Sequence, residues 1–200
     1  MSRYCSQCGK AHKACICGSI VALDSQIELI ILQHPTEEHR PMGTARILSL
    51  SLTNSRLLVG EDFREHEELN QLLAEADAQH FVLYPNDVSR SVREITLSEA
   101  QKIRIILLDG TWKKAFKMWQ LNTQLHSLPC LHLPEGLTGN YRIRKAPSEN
   151  SLSTVEAGFH ALNILQTEND FSPLLAAFEA MIDYQIQQMP AGVFERNYRS

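Results

Sequence analysis

Short apolar runs recur along this chain with amphipathic stretches between them, and that alternation is what most narrows the folds open to it. "IELIILQ" (27–33) and "IRIILLD" (103–109) are nearly continuous and rich in Ile and Leu. Runs of this kind suit strands buried on both faces of a parallel sheet. "SRLLVG" (55–60), "HFVLYP" (80–85) and "LPCLHL" (128–133) read as three further strands, the first two stopped by Gly60 and Pro85. Helical spacing fills the gaps at 43–52, with Thr44 as a cap, and at 65–76, whose acids come early as the helix dipole prefers. It returns at 111–122, 153–166 and 172–189. Trp112, Phe116 and Trp119 fall at i, i+4 and i+7, which predicts an apolar stripe facing the core. The polar segment 86–100 fits neither period. Strand and helix in alternation predict an α/β domain, a mainly parallel sheet flanked by helices. Ligands of such sheets bind beyond the carboxyl ends of the strands. That rule directs attention to "QHPTEEHRPMGT", "YPND" and "DGTW", and to the long loop 134–151.

Four of the five cysteines, Cys5, Cys8, Cys15 and Cys17, crowd into the first seventeen residues. No apolar run reaches membrane-spanning length and no signal-peptide core is evident, so the cytoplasm is the expected compartment and no membrane partner is expected. Disulfides are unfavoured there. Two close Cys pairs suit a tetrahedral thiolate zinc site instead, the Cys5-x-x-Cys8-Gly9 half forming a knuckle and His12 offering a substitute ligand. The expected organisation is a zinc knuckle over 1–22 and a catalytic body over 23–200. Cys130, in an apolar run, is expected to be a core thiol. A net charge of −4 excludes a generally basic nucleic-acid coat and leaves room for a local basic face.

Asp109 ends the strongest strand and precedes a helix, and two readings are open. It is an N-cap of that helix, or it is a carboxylate facing the ligand crevice and able to accept a proton. Lys113, Lys114 and Lys117 make a basic helix face, either a solvated surface or a phosphate-binding one. Ser153 and Glu156 have the spacing of a capping box. His34 and His39 lie too far apart in sequence to favour a metal site of their own.

Three motifs and the cysteine knuckle then carry a family likeness. "LQHPTEEHRPMGTARIL" (32–48), "LDGTW" (108–112) and "YRIRKAPSENSLSTVEA" (141–157) occur in that order, and the sequence resembles the DTW-domain proteins from Cys5 to about Ala157. The resemblance implies a bacterial tRNA-uridine aminocarboxypropyltransferase, related to the SPOUT methyltransferases and carrying a trefoil knot near its cofactor site. Such enzymes move the 3-amino-3-carboxypropyl group of S-adenosylmethionine to N3 of a tRNA uridine, with a variable-loop uridine the expected acceptor, and release 5′-methylthioadenosine. It implies that Asp109 is the base or the orienting group. It implies a cofactor site at Leu32, Gln33, His34, Tyr84, Pro85, Leu108, Gly110, Thr111, Leu131 and Leu133, completed by Ser151, Leu152, Ser153 and Thr154. It makes Arg40, Arg46, Lys113, Lys114, Lys117, Arg142, Arg144 and Lys145 the expected tRNA contacts, with the carboxylate of the co-substrate's amino-acid tail the alternative ligand of the 141–145 loop, and zinc a structural ion on the four cysteines. No obligate protein partner is indicated. The rival readings are a methyltransferase using the same co-substrate and a zinc-knuckle RNA-binding protein without catalysis.

Overall fold

A computed structural model describes residues 2–96, 101–137, 139 and 152–198. Its centre is a six-stranded sheet in the order β2-β1-β5-β3-β6-β4, every neighbouring pair parallel. The strands are β1 (Ile27–Gln33), β2 (Ser55–Val59), β3 (Ala78–Leu83), β4 (Arg90–Ser91), β5 (Lys102–Asp109) and β6 (Cys130–His132). The helices are α1 (Ala45–Ser51), α2 (Glu67–Leu73), α3 (Trp112–Leu121), α4 (Thr154–Leu165), α5 (Ser172–Gln187) and α6 (Val193–Tyr198). Among the described residues no helix is long and apolar enough to cross a membrane.

The two richest apolar runs take the middle of the sheet because both their faces are covered. Successive strand side chains point to opposite faces. Ile27, Leu29 and Ile31 of β1, with Ile103, Ile105 and Leu107 of β5, join the core beneath α1, α4 and α5. Ile30, Leu32 and Ile106 point the other way, to Leu69 and Leu72 of α2 and Met118 of α3. On the first face α4 crosses α1 closely. A Cβ added at Gly158 would lie 2.9 Å from both terminal methyls of Leu48.

The amino-terminal edge of the sheet is held by charge. Arg104 of β5, 3% exposed, donates to Glu28 at 2.6 Å, to Glu75 at 2.8 Å and to the Leu72 carbonyl at 2.8 Å. Burial works against the Glu28 charge, yet hydrogen bonds from Arg104 and Arg56 hold its carboxyl below the ordinary range. The carboxyl edge, where Gln33, Leu83, Asp109 and His132 end their strands, is left for chemistry. The chain lays down β2 on one side of β1 and then crosses to β3 on the other, with β5 inserted between. Such a reversal opens a crevice at the carboxyl ends of the strands.

The α3 stripe departs from the sequence reading. Its buried residues are Ala115 and Met118, while Trp112 and Phe116 are 50% and 56% exposed. Trp112 is therefore no core residue. The i, i+4, i+7 spacing is present, but the helix is rotated so that the intervening stripe meets the sheet. Within 86–100 the described part holds the two-residue β4 and a 3-10 turn at Val92–Glu94.

Candidate active site and metal centre

Asp109 sits at the end of β5 with 6% of its surface exposed. Its carbonyl accepts from the His34 backbone N–H at 2.9 Å. One carboxylate oxygen accepts from the Gln33 amide at 2.8 Å, and the other accepts a short hydrogen bond from the Thr154 hydroxyl. Gln33 is the β1 residue in register with Asp109, and Thr154 opens α4. Three segments distant in sequence thus converge on one carboxylate. The capping reading is corrected here. The cap position of α3 is Thr111, whose side chain makes no capping bond, and the Asp109 carboxylate is turned to β1 and α4 instead. The capping box at α4 is present: Glu156 accepts from the Ser153 N–H at 2.7 Å and from its hydroxyl at 2.6 Å. Thr44, at the cap position of α1, makes no side-chain cap bond there, and its hydroxyl accepts from the Val155 N–H at 3.4 Å.

Beside Asp109 a cavity of about 290 Å³ opens over the ends of β3, β5 and β6. Tyr84, Pro85, Leu108, Gly110, Leu131 and Leu133 line it, and Leu152, Ser153 and Thr154 close it from α4. At Gly110 a Cβ would lie 3.1 Å from the Lys114 Cβ, so α3 approaches the strand end closely. Tyr84 stacks on Trp119, with ring centres 4.9 Å apart. Other residues named from the sequence lie elsewhere. The Leu32 side chain is fully buried in the core under α2 and α3. Thr111 stands at the cap position of α3 and does not line the cavity. His34 contacts Thr36 at 3.0 Å and Glu61 at 3.0 Å. Ser151, Arg142, Arg144 and Lys145 lie outside the described residues. Trp112, His132 and Glu135 line the cavity and were not named for it. An aromatic residue beside "DG" at a strand end was the available signal for Trp112, and the helical stripe masked it.

The basic face of α3 is largely answered by acids. Lys114 pairs with Glu37 at 2.8 Å and Lys117 with Glu61 at 2.8 Å. Arg40 also pairs with Glu37, at 3.1 Å. Hydrogen bonds from Lys117 and His34 hold the Glu61 carboxyl below its ordinary range. These pairs fasten α3 to the loops after β1 and β2. Lys113 is exposed and Arg46 half-buried.

At the amino terminus the Sγ atoms of Cys5, Cys8, Cys15 and Cys17 all lie within 4.8 Å of one another. The pairs Cys5–Cys17 and Cys8–Cys15 are each 3.7 Å apart. Zn–S bonds of about 2.3 Å at tetrahedral angles place sulfurs roughly 3.8 Å apart, while a disulfide needs about 2.05 Å. The donor set fits zinc. The backbone N–H groups of Cys8 and Gln7 bring the Cys5 thiol down to about 6, whereas burial and the neighbouring thiols push Cys17 up to about 12. Gly9, at φ 70°, turns the chain back so that the Lys10 carbonyl accepts from the Cys5 N–H at 2.8 Å. His12 is exposed and outside the cluster. The knuckle is docked on the body: Cys8 and Ile16 belong to the main core, and the Lys10 ammonium donates to the Pro41 carbonyl at 2.5 Å. Cys130 is buried as expected, and burial raises its thiol.

The DTW domain matches residues 2–186. The chain belongs to the DTW-domain family. Among its relatives, the mouse protein named tRNA-uridine aminocarboxypropyltransferase 2 is 31% identical over 189 residues, which is 92% of this chain. The Drosophila melanogaster protein of the same name is 31% identical over 192 residues, 91% of this chain and 74% of that protein. An Arabidopsis thaliana protein, tRNA-uridine aminocarboxypropyltransferase A, is 28% identical over 133 residues, 58% of this chain and half of its own length. The chain spans 63% of the length of the mouse relative. No solved structure is detectably similar to it.

Proposed function

We propose that this DTW-domain chain is a cytoplasmic transferase that moves the 3-amino-3-carboxypropyl group of S-adenosylmethionine to N3 of a tRNA uridine. The names of its relatives support that reading. The observation that carries it is the Asp109 carboxylate, fixed by Gln33 and Thr154 beside a largely apolar strand-end cavity that Leu108, Gly110 and Thr154 line. S-adenosylmethionine, when bound, supplies a carbon already activated by the adjoining sulfonium. The leucines of β5 and β6 with Pro85 offer apolar walls to an adenine ring, and Gly110 lets backbone approach it. Asp109 takes the N3 proton of the uridine, which must leave before that nitrogen is a competent nucleophile. The new N–C bond forms as the C–S bond breaks, and 5′-methylthioadenosine departs. Gln33 and Thr154 hold the carboxylate in line for that proton, so alignment is set before the substrate arrives. Zinc on the four cysteines is structural, since full thiolate coordination leaves no position open for chemistry. The trefoil knot of the SPOUT proteins is part of the same proposal.

Two labels of the co-substrate test it. Unmodified tRNA incubated with the chain should gain label from carboxyl-labelled S-adenosylmethionine and none from methyl-labelled. Methyl label in the tRNA would make the protein a methyltransferase. Binding of both substrates with no transfer of either label would leave an RNA-binding module.

A further inference from the structure

A second cavity, of about 220 Å³, lies between the cysteine knuckle and the loop after β1. It is distinct from the first, yet each is lined by a residue bonded to Asp109. Thr154 lines the first and Gln33 the second, and these two side chains hold the carboxylate from opposite sides. The second cavity differs from the first in carrying charged side chains of both signs. Lys10, Arg40 and Arg46 line it with Glu37 and Glu38. Glu37 is already matched by Arg40 and Lys114, and Glu38 stands 3.8 Å from His39. Among the described residues no carboxylate lies within ion-pair distance of Lys10 or Arg46. Four thiolates around zinc carry two net negative charges, and Lys10, two residues from Cys8, sits where it offsets them. Arg46 is the cation left over for a ligand. Tyr4, 60% exposed, also lines the cavity. An exposed aromatic ring in the same cavity as an uncommitted Arg is a combination by which proteins hold unpaired nucleotides, stacking on the base and pairing the phosphodiester. An amino-acid tail would have no use for the ring.

We propose that this cavity is the acceptor-strand subsite, where Tyr4 stacks a base, Arg46 pairs a phosphodiester, and the target uracil is presented to Gln33 and Asp109. The subsite rests on the transferase reading for the chemistry at Asp109, but not for its affinity for RNA. It gives the knuckle a direct part in binding, because Tyr4, Gly9 and Lys10 form one wall and the β1–α1 loop the other. It also brings acceptor and co-substrate to Asp109 from separate cavities.

Photocrosslinking with a tRNA transcript containing 4-thiouridine, together with two variants, tests it. Crosslinks should map to peptides from 2–14 or 33–46, and crosslinks confined to 112–121 would overturn the subsite. Tyr4→Ala and Arg46→Gln should each weaken tRNA binding about tenfold. Only Arg46→Gln should also flatten the salt dependence, by roughly 0.7 to 0.9 in log–log slope. Zinc content and S-adenosylmethionine affinity should stay at wild-type values in both. Unchanged tRNA affinity in both variants overturns the proposal. So does an Arg46→Gln protein that loses affinity for S-adenosylmethionine but not for 5′-methylthioadenosine, since the cavity would then hold the amino-acid tail. Expected crosslinks and affinities in a wild-type protein that transfers no label would uphold the subsite and reject the transferase reading.

Discussion

Asp109 is the residue on which chemistry and structure can be separated most cleanly. Asp109→Asn keeps the size of the side chain and can still accept one of the two hydrogen bonds, while Gln33 can turn its amide to satisfy the other. The fold should therefore lose no more than about 1 kcal/mol, as for a single rearranged hydrogen bond. Single-turnover transfer should fall about 10²- to 10⁴-fold, the ordinary contribution of a positioned base. Thr154→Val should cost less, since it removes alignment and leaves the base. Quench-flow transfer measurements beside thermal melts would check both, and wild-type transfer by a folded Asp109→Asn protein would end the base assignment. How much of this site was legible in the sequence follows from the same contacts. A lone acid at the end of the most apolar strand was visible, because strand-end position follows from a local pattern. Its partners were not separable from their neighbours, because Gln33 and Thr154 lie 76 and 45 residues away and only packing brings them in. The three lysines of α3 were visible as charge, but the acids that answer two of them lie on other loops.

At the scale of elements, β1 and β5 were readable because continuous burial leaves a continuous apolar run. The β4 strand was not, since a two-residue pairing has no period to detect. Nor was the strand order, which depends on contacts that no local window contains. Two predictions belong here. Gly158→Ala should gain up to about 1 kcal/mol in helix propensity, but its methyl must displace the fully buried Leu48. Overpacking of about 1–3 kcal/mol outweighs that gain, so the variant should be less stable by about 1 kcal/mol in denaturant titration. At the opposite edge of the sheet, Arg104→Met should cost about 3 kcal/mol at neutral pH by leaving Glu28 poorly compensated. The pH dependence has a definite sign. Glu28 and Glu75 titrate below their ordinary value of 4.5 in the folded protein, so their contribution is present above that value and is lost as pH falls through the lower folded ones. Wild-type stability should fall on acidification below about pH 4.5, and the Arg104→Met profile should be flatter there. Equal slopes in the two proteins would remove the network as the cause.

For the whole molecule, the question is whether the knuckle is an appendage or a part of the machine. Cys8 and Ile16 are buried in the main core, and Lys10 holds the Pro41 and Gly43 carbonyls in the loop that follows β1. That loop follows directly on Gln33, the strand-end residue that aligns Asp109. Zinc should therefore act at two levels. As a ligand of the folded state it should raise stability, and its removal by a chelator under reducing conditions should lower the melting temperature. If the four-thiolate site contributes about 3 kcal/mol, the shift should be about 6–12 °C for a chain of this length. Below that lowered transition, the metal-free protein should keep its sheet and its affinity for S-adenosylmethionine, because the first cavity is built from β3, β5, β6 and α4. Transfer should nevertheless be lost, since Lys10 can no longer fix the loop that follows Gln33. Elemental analysis should give one zinc per chain before treatment and full recovery of transfer when zinc is restored. A metal-free protein with reduced thiols, wild-type stability and wild-type transfer would show that the cluster needs no metal. Loss of co-substrate binding in parallel with transfer would place the knuckle's influence on the whole body rather than on the loop after β1.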